Sequence, residues 1–208
     1  MKKSFFIGIF YIFVLTFFSC SKPGDLTIQR AMKSYQAEDY EEALKLFNDA
    51  LKEESNYSTE LIYNFIANTY LHINDFENAV IYQEKTCEIR PEYHELVSLG
   101  MTYHLLKRDE ESEATYKKAI NLDSKKAEAY ASLGALYLGQ DKYIEAIENF
   151  KIAAEINPKI AVIHANLAVA YAAAGNIEES EAEFKKAEEL KCKNLEEFRE
   201  RADSMQKQ

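Results

Sequence analysis

The chain has 208 residues, 47% of them apolar and 29% charged, with three prolines and six glycines, a balance that suits an ordered helical protein and not a disordered one. Asp and Glu outnumber Lys and Arg 35 to 25, for a formal charge of −10. No Lys/Arg cluster interleaved with aromatics stands out, which argues against nucleic-acid binding, and the length accommodates one large domain or one extended repeat array.

The first element is a greasy segment. Lys2 and Lys3 precede a nearly unbroken apolar run from Phe5 to Phe18. A straight membrane-spanning helix needs about 20 apolar residues, so the run is short for a permanent anchor. A basic start followed by such a run matches an export leader. A buried core helix would show one polar face, and this stretch shows almost none. At its end, "FFSCSK" resembles the lipobox of bacterial lipoproteins: small Ser19, then Cys20, then the polar "SKPGD". Phe17 stands where Leu is usual and Phe18 where a small residue is common. The resemblance implies cleavage before Cys20, a diacylglycerol on its thiol and acylation of its new amino group. Ordinary cleavage after Ser21, or an uncleaved anchor, are the competing readings. On the lipoprotein reading residues 1–19 are the leader and 20–23 a short tether. Ser21 also lacks the acidic character that holds many lipoproteins at the inner membrane, so the analogy favours the outer one.

From residue 24 the sequence repeats with a period of about 34 residues. Segment 24–57 is clear in its second half, "DYEEALKLFNDAL", with Ala43, Phe47 and Ala50 on one face; Thr27 and Arg30 blur the first half. Segment 60–92 carries Tyr63, Ile66, Ala67 and Tyr70, then Ala79 and Thr86 before Pro91. Segment 93–126 carries Leu96, Leu99, Gly100 and Tyr103, then Tyr116 and Ala119. Segment 127–160 has Tyr130, Leu133, Gly134 and Tyr137, then Tyr143, Ala146, Phe150 and Ala153 before Pro158. Segment 161–194 repeats the faces with His164, Leu167, Ala168 and Tyr171, then Phe184 and Ala187. Each half-segment predicts an amphipathic helix. The stretch 195–208 places Leu195, Phe198, Ala202 and Met205 on one stripe of a charged helix, predicting a capping helix, with a partner-docking helix as the alternative.

This pattern resembles the tetratricopeptide repeat family, W-x₂-L-G-x₂-Y…A-x₃-F…P. The resemblance covers residues 24–194 and implies an all-α solenoid, a right-handed superhelix of about five hairpins plus the C-terminal cap. Ser112 and Ser180 replace the small Ala, Gln83 an aromatic, and Ser124 and Cys192 the usual Pro; these departures are expected to weaken individual contacts without shifting the register. In this family ligand contacts come largely from the concave face of each first helix. Aligned to those places, the chain offers Ile28 and Met32, Asn64 and Asn68, Val97 and Met101, Ala131 and Ala135, and Ala165 and Val169, with His104 near the end of its helix. Members that grip chaperone C-termini use Lys and Arg where none stands here, so that ligand class is not expected. Asn64 and Asn68, four apart, suit a peptide backbone. The Ala-rich half, with Ala172 and Ala173, suits an amphipathic helix or a tightly wound end with nothing bound.

Catalytic motifs such as G-x-S-x-G, H-E-x-x-H or a phosphate-cradling glycine loop do not occur, so an enzyme is not expected. His164 takes an aromatic core place. His72 and His104 end successive first helices, but two histidines are too few for a metal site, and no cofactor beyond lipid on Cys20 is implied. Cys87 and Cys192 fall in separate repeats and read as free thiols, Cys87 buried. The expected function is a lipid-anchored scaffold or assembly factor at a bacterial envelope, binding a protein or peptide partner, with homo-oligomers open. The alternatives are a surface adhesin or host-interaction protein, or a binder of small hydrophobic ligands.

Overall fold

The computed structural model describes residues 21–206, so the leader, Cys20 and its lipidation lie outside the described residues. The described part is all α-helical and divides into two compact units, one ending at residue 75 and the other beginning at residue 76. The first unit holds α1 (Pro23–Gln36), α2 (Tyr40–Ala50) and α3 (Thr59–His72). The second holds α4 (Phe76–Ile89), α5 (Tyr93–Leu105), α6 (Asp109–Leu122), α7 (Ala127–Gly139), α8 (Tyr143–Ile156), α9 (Ala161–Ala173), α10 (Ile177–Glu189) and α11 (Leu195–Met205). The division falls in the turn between α3 and α4, inside the segment 60–92. A repeat binds its neighbours on both sides, so compactness need not follow the repeat boundaries.

One turn chemistry recurs along the chain. Glu38, Asn74, Lys107, Asp141 and Gly175 all have φ near 58–80°, in the left-handed region. In each case the next amide reaches back over the helix end, as from Arg108 N to Tyr103 O (2.9 Å) and from Asn176 N to Tyr171 O (2.9 Å). This left-handed cap closes the helix. Glycine, which suits that conformation best, serves only at position 175. Exits from α6 and α8 are different: Asp123 (φ −150°) and Asn157 (φ −137°) are extended. Pro158 enforces this after Asn157; Ser124, where Pro is usual, leaves the same exit.

Within hairpins, small residues let large ones in. A Cβ on Gly100 would stand 2.6 Å from the Tyr116 ring and one on Gly134 3.0 Å from Phe150. Tyr116, Phe150 and Phe184 are each buried in the core of the second unit with Leu133, Leu136 and Leu167, and a fully buried Phe contributes roughly 1.5–3 kcal/mol. The serines overturn an expectation. Ser112 Oγ donates to Gly100 O (2.8 Å) and Ser180 Oγ to Ala168 O (2.9 Å), both buried. Each hydroxyl therefore ties one helix of a hairpin to the other, where a methyl would only fill space. Across hairpins, Tyr93 Oη accepts from Ala129 N (2.9 Å), joining α5 to α7, and burial pushes its phenol up to about 12.

In the first unit Ile28, Ala31, Ala43, Phe47 and Ile66 are buried, with Phe47 stacked on Phe65 at 5.2 Å. Its start corrects the expected tether. Pro23 is already helical, in the first turn where its missing N–H costs nothing. Gly24 N donates to Glu54 O (3.0 Å), and a Cβ there would stand 3.0 Å from that same oxygen. Asp25 is buried and accepts from Lys22 N (3.0 Å), Ser55 Oγ (2.8 Å), Asn56 N (2.7 Å) and Asn56 Nδ2 (2.7 Å). The Asn56 backbone N–H does most to hold its carboxyl at about 2, against the opposing effect of burial. Residues 22–25 are thus clamped to the loop that follows α2.

Candidate functional site

The groove-facing positions behave differently along the chain. On α5, Met101 is 52% exposed and Val97 is half-buried against the core. His104, half-exposed, has Nδ1 3.0 Å from Asp109 Oδ1. On α7, Ala135 is exposed and Ala131 half-buried. On α9 the equivalent residues are covered: Val169 and Ala165 are 0% exposed, Ala172 1%. Val169 is therefore corrected from a groove-lining residue to a core residue. Leu195, Phe198 and Met205 of α11 pack against the cluster that contains Val169, Ala172 and Leu138, and Ala202 is buried within it.

In the first unit, Asn68 Nδ2 donates to Asn64 Oδ1 at 2.5 Å, so the two amides bind each other one turn apart. Ile28 is fully buried and Met32 half-buried, which removes Ile28 from any ligand surface. His72 stacks on Tyr40 at 5.4 Å and meets Tyr35 edge-on at 5.4 Å. It and His104 thus have separate partners in separate units.

His164 is buried as expected for an aromatic core place. Its Nδ1 lies 2.6 Å from Glu183 Oε2 and its Nε2 3.0 Å from Pro158 O. Among the described residues no group of three or more His, Cys, Asp or Glu is gathered as a metal would need. Cys87 and Cys192 are free thiols. Cys87 lines an open depression of 490 Å³ with Glu84, Tyr103 and Lys118. Burial, with help from Glu95, pushes its thiol up to about 11, so it is not the thiolate a nucleophile requires. No described helix is long and apolar enough to cross a membrane.

Two features escaped the sequence reading. The Asp25 clamp spans the boundary between the expected tether, 20–23, and the first repeat, although Pro23 with Asp25 in the same first turn is a helix-start signal. The covering of Val169 by α11 had only a weak signal, the loss of Pro at Cys192.

Comparison with known proteins agrees with this architecture. Tetratricopeptide repeat models match residues 61–93, 100–141 and 137–198. The chain is a tetratricopeptide repeat protein. Such repeats are protein-interaction scaffolds. The chain is 29% identical over 113 residues to the CTR9 homolog of Arabidopsis thaliana, a match that covers 52% of the chain but spans only a tenth of that protein's length. Among solved structures it resembles MamA (TM-score 0.73, 21% identity, 80% of this chain and 91% of that one). It also resembles residues 41 to the end of MamA from Desulfovibrio magneticus RS-1 (0.72, 19%, 81% and 94%). A third is YrrB, described as a tetratricopeptide repeat protein with an unusual peptide-binding site (0.68, 21%, 88% and 91%). At these identities the likeness speaks for the fold alone.

Proposed function

We propose that this tetratricopeptide repeat protein is an exported lipoprotein, anchored through Cys20, that holds a protein partner at a bacterial envelope membrane without catalysing a reaction. The observation that carries the binding role is the open first-helix surface of α5 and α7, where Met101 keeps half its area exposed beside exposed Ala135. A large apolar side chain left in solvent at a ligand-facing position is what a partner would cover. The anchor rests on the basic start, the short apolar run and Cys20. The clamp at residues 22–25 supports it mechanically, because Ser21 alone separates Cys20 from the cap of α1. Anchored there, the array stays next to the membrane.

The test has two arms. Cys20→Ser should abolish fatty-acid labelling and release the chain from membranes; persistent labelling overturns the anchor. In crosslinking from the native envelope, Met101→Asp should lose the wild-type adduct while helicity is unchanged. An undiminished adduct moves the binding site off this face.

A further inference from the structure

The last helix lies where the repeats before it present their ligand surface. At one equivalent position the side chain is 52% exposed on α5 (Met101), exposed on α7 (Ala135) and fully covered on α9 (Val169). The helix that packs on α9 in addition to the repeats is α11, whose Leu195, Phe198 and Met205 rest on the cluster that holds Val169. Outside their own hairpins, first helices α7 and α9 lean mainly on the second helix of the preceding hairpin, α6 and α8, and less on its first. By contrast α11 packs mainly on α9 and hardly on α10.

The turn explains the difference. After α10, Lys191 takes φ 59° and Cys192 N donates to Ala187 O (2.9 Å), the same reversal that closes each hairpin. The extended exit of α6 and α8 is missing, and Asn194 adds a second left-handed residue before α11 begins. The chain is thereby turned onto α9.

The contact is also lightly built. Of the 11 residues of α11 only Ala202 is buried, and Asn194 makes no side-chain cap. A helix this short is marginal by itself in water, so α11 depends on the surface beneath it.

We propose that the face of α9 under α11 is a binding site for an amphipathic helix of a partner protein, and that α11 is an internal occupant which the partner helix displaces. This rests on the protein-binding reading above and names the partner's chemistry. The incoming helix carries apolar residues spaced as Leu195, Phe198, Ala202 and Met205 are. Beside its aromatic it carries a cation, because Arg199 Nη1 lies 3.3 Å from Glu181 and its guanidinium 4.6 Å over the Phe184 ring. A tethered helix competes at an effective concentration on the order of millimolar, so a free helix gains access only when it binds better or α11 is weakened.

The probe is a fluorescent synthetic peptide with the sequence of residues 193–206, KNLEEFRERADSMQ, titrated against the full chain in detergent. Leu195→Ala with Phe198→Ala should bind it about tenfold or more tightly than the wild type does. Replacing the peptide's Phe by Ala, or its first Arg by Glu, should reverse that gain. Phe198→Ala alone gives the smaller gain and serves if the double variant loses helicity. Equal binding by wild type and variants, or indifference to the peptide's Phe, overturns the proposal. So does a wild-type dimer that Phe198→Ala dissolves, since the occupant is then a second copy's α11. Peptide exchange without any envelope adduct would leave this site standing and remove the envelope reading; the reverse outcome would remove this site alone.

Discussion

The first and last of the described helices, α1 and α11, are held by opposite chemistry. The start of α1 is gripped by a buried carboxylate, Asp25, that collects four hydrogen bonds from Lys22, Ser55 and Asn56. α11 is held by an apolar stripe resting on the cluster that holds Val169 and Ala172, with one exposed ion pair at its edge. A hydrogen-bonded carboxylate is directional and locks one geometry, whereas an apolar contact tolerates exchange for another helix of similar pattern. The directional attachment stands next to the candidate anchor and the apolar one at the proposed partner site.

Four substitutions test this contrast. The largest effect should come from Val169→Asp, which buries an unpaired charge under α11 and costs about 3–5 kcal/mol. Hydrogen exchange should show the loss in α9–α11 and leave α1–α3 protected. Asp25→Asn should follow. The folded-state carboxyl sits at about 2, below its ordinary value of 3.8. Its contribution is therefore complete above about pH 4 and lost as the pH falls toward 2. Circular dichroism of the wild type should show that acid slope, and the Asn variant should be destabilised at neutral pH and lack it. Ser180→Ala restores the residue usual at that place, yet should lower stability by about 1 kcal/mol in urea unfolding, because the bond to Ala168 O is lost. The smallest change, Lys191→Gly, should raise stability by about 0.5–1 kcal/mol by relieving the left-handed backbone. If it instead frees α11 to exchange, the turn directs that helix more than the apolar contact does.

Much of the fold is legible in the sequence. The helices and their hairpin pairing follow from apolar spacing and from small residues placed opposite large ones, as Gly134 is opposite Phe150. The candidate site was legible only in part. Met101 and Ala135 could be placed on a ligand-facing surface because that surface is one side of a helix. Whether Val169, at the same helical position, was open could not be read, because nothing in α9 itself states what lies on it. The roles of Ser112 and Ser180 were hidden for a similar reason: a hydroxyl's value depends on the acceptor it meets across the hairpin.

The sequence by itself determined the repeat register, the helical faces and the family, since each arises from contacts between residues a few positions apart. Tertiary structure alone decided that Asp25 is a buried clamp and that α11 covers α9. Both depend on which distant segment arrives at a surface, and that is set by a few backbone dihedrals, as at Lys191 and Asn194, which the repeat pattern does not record.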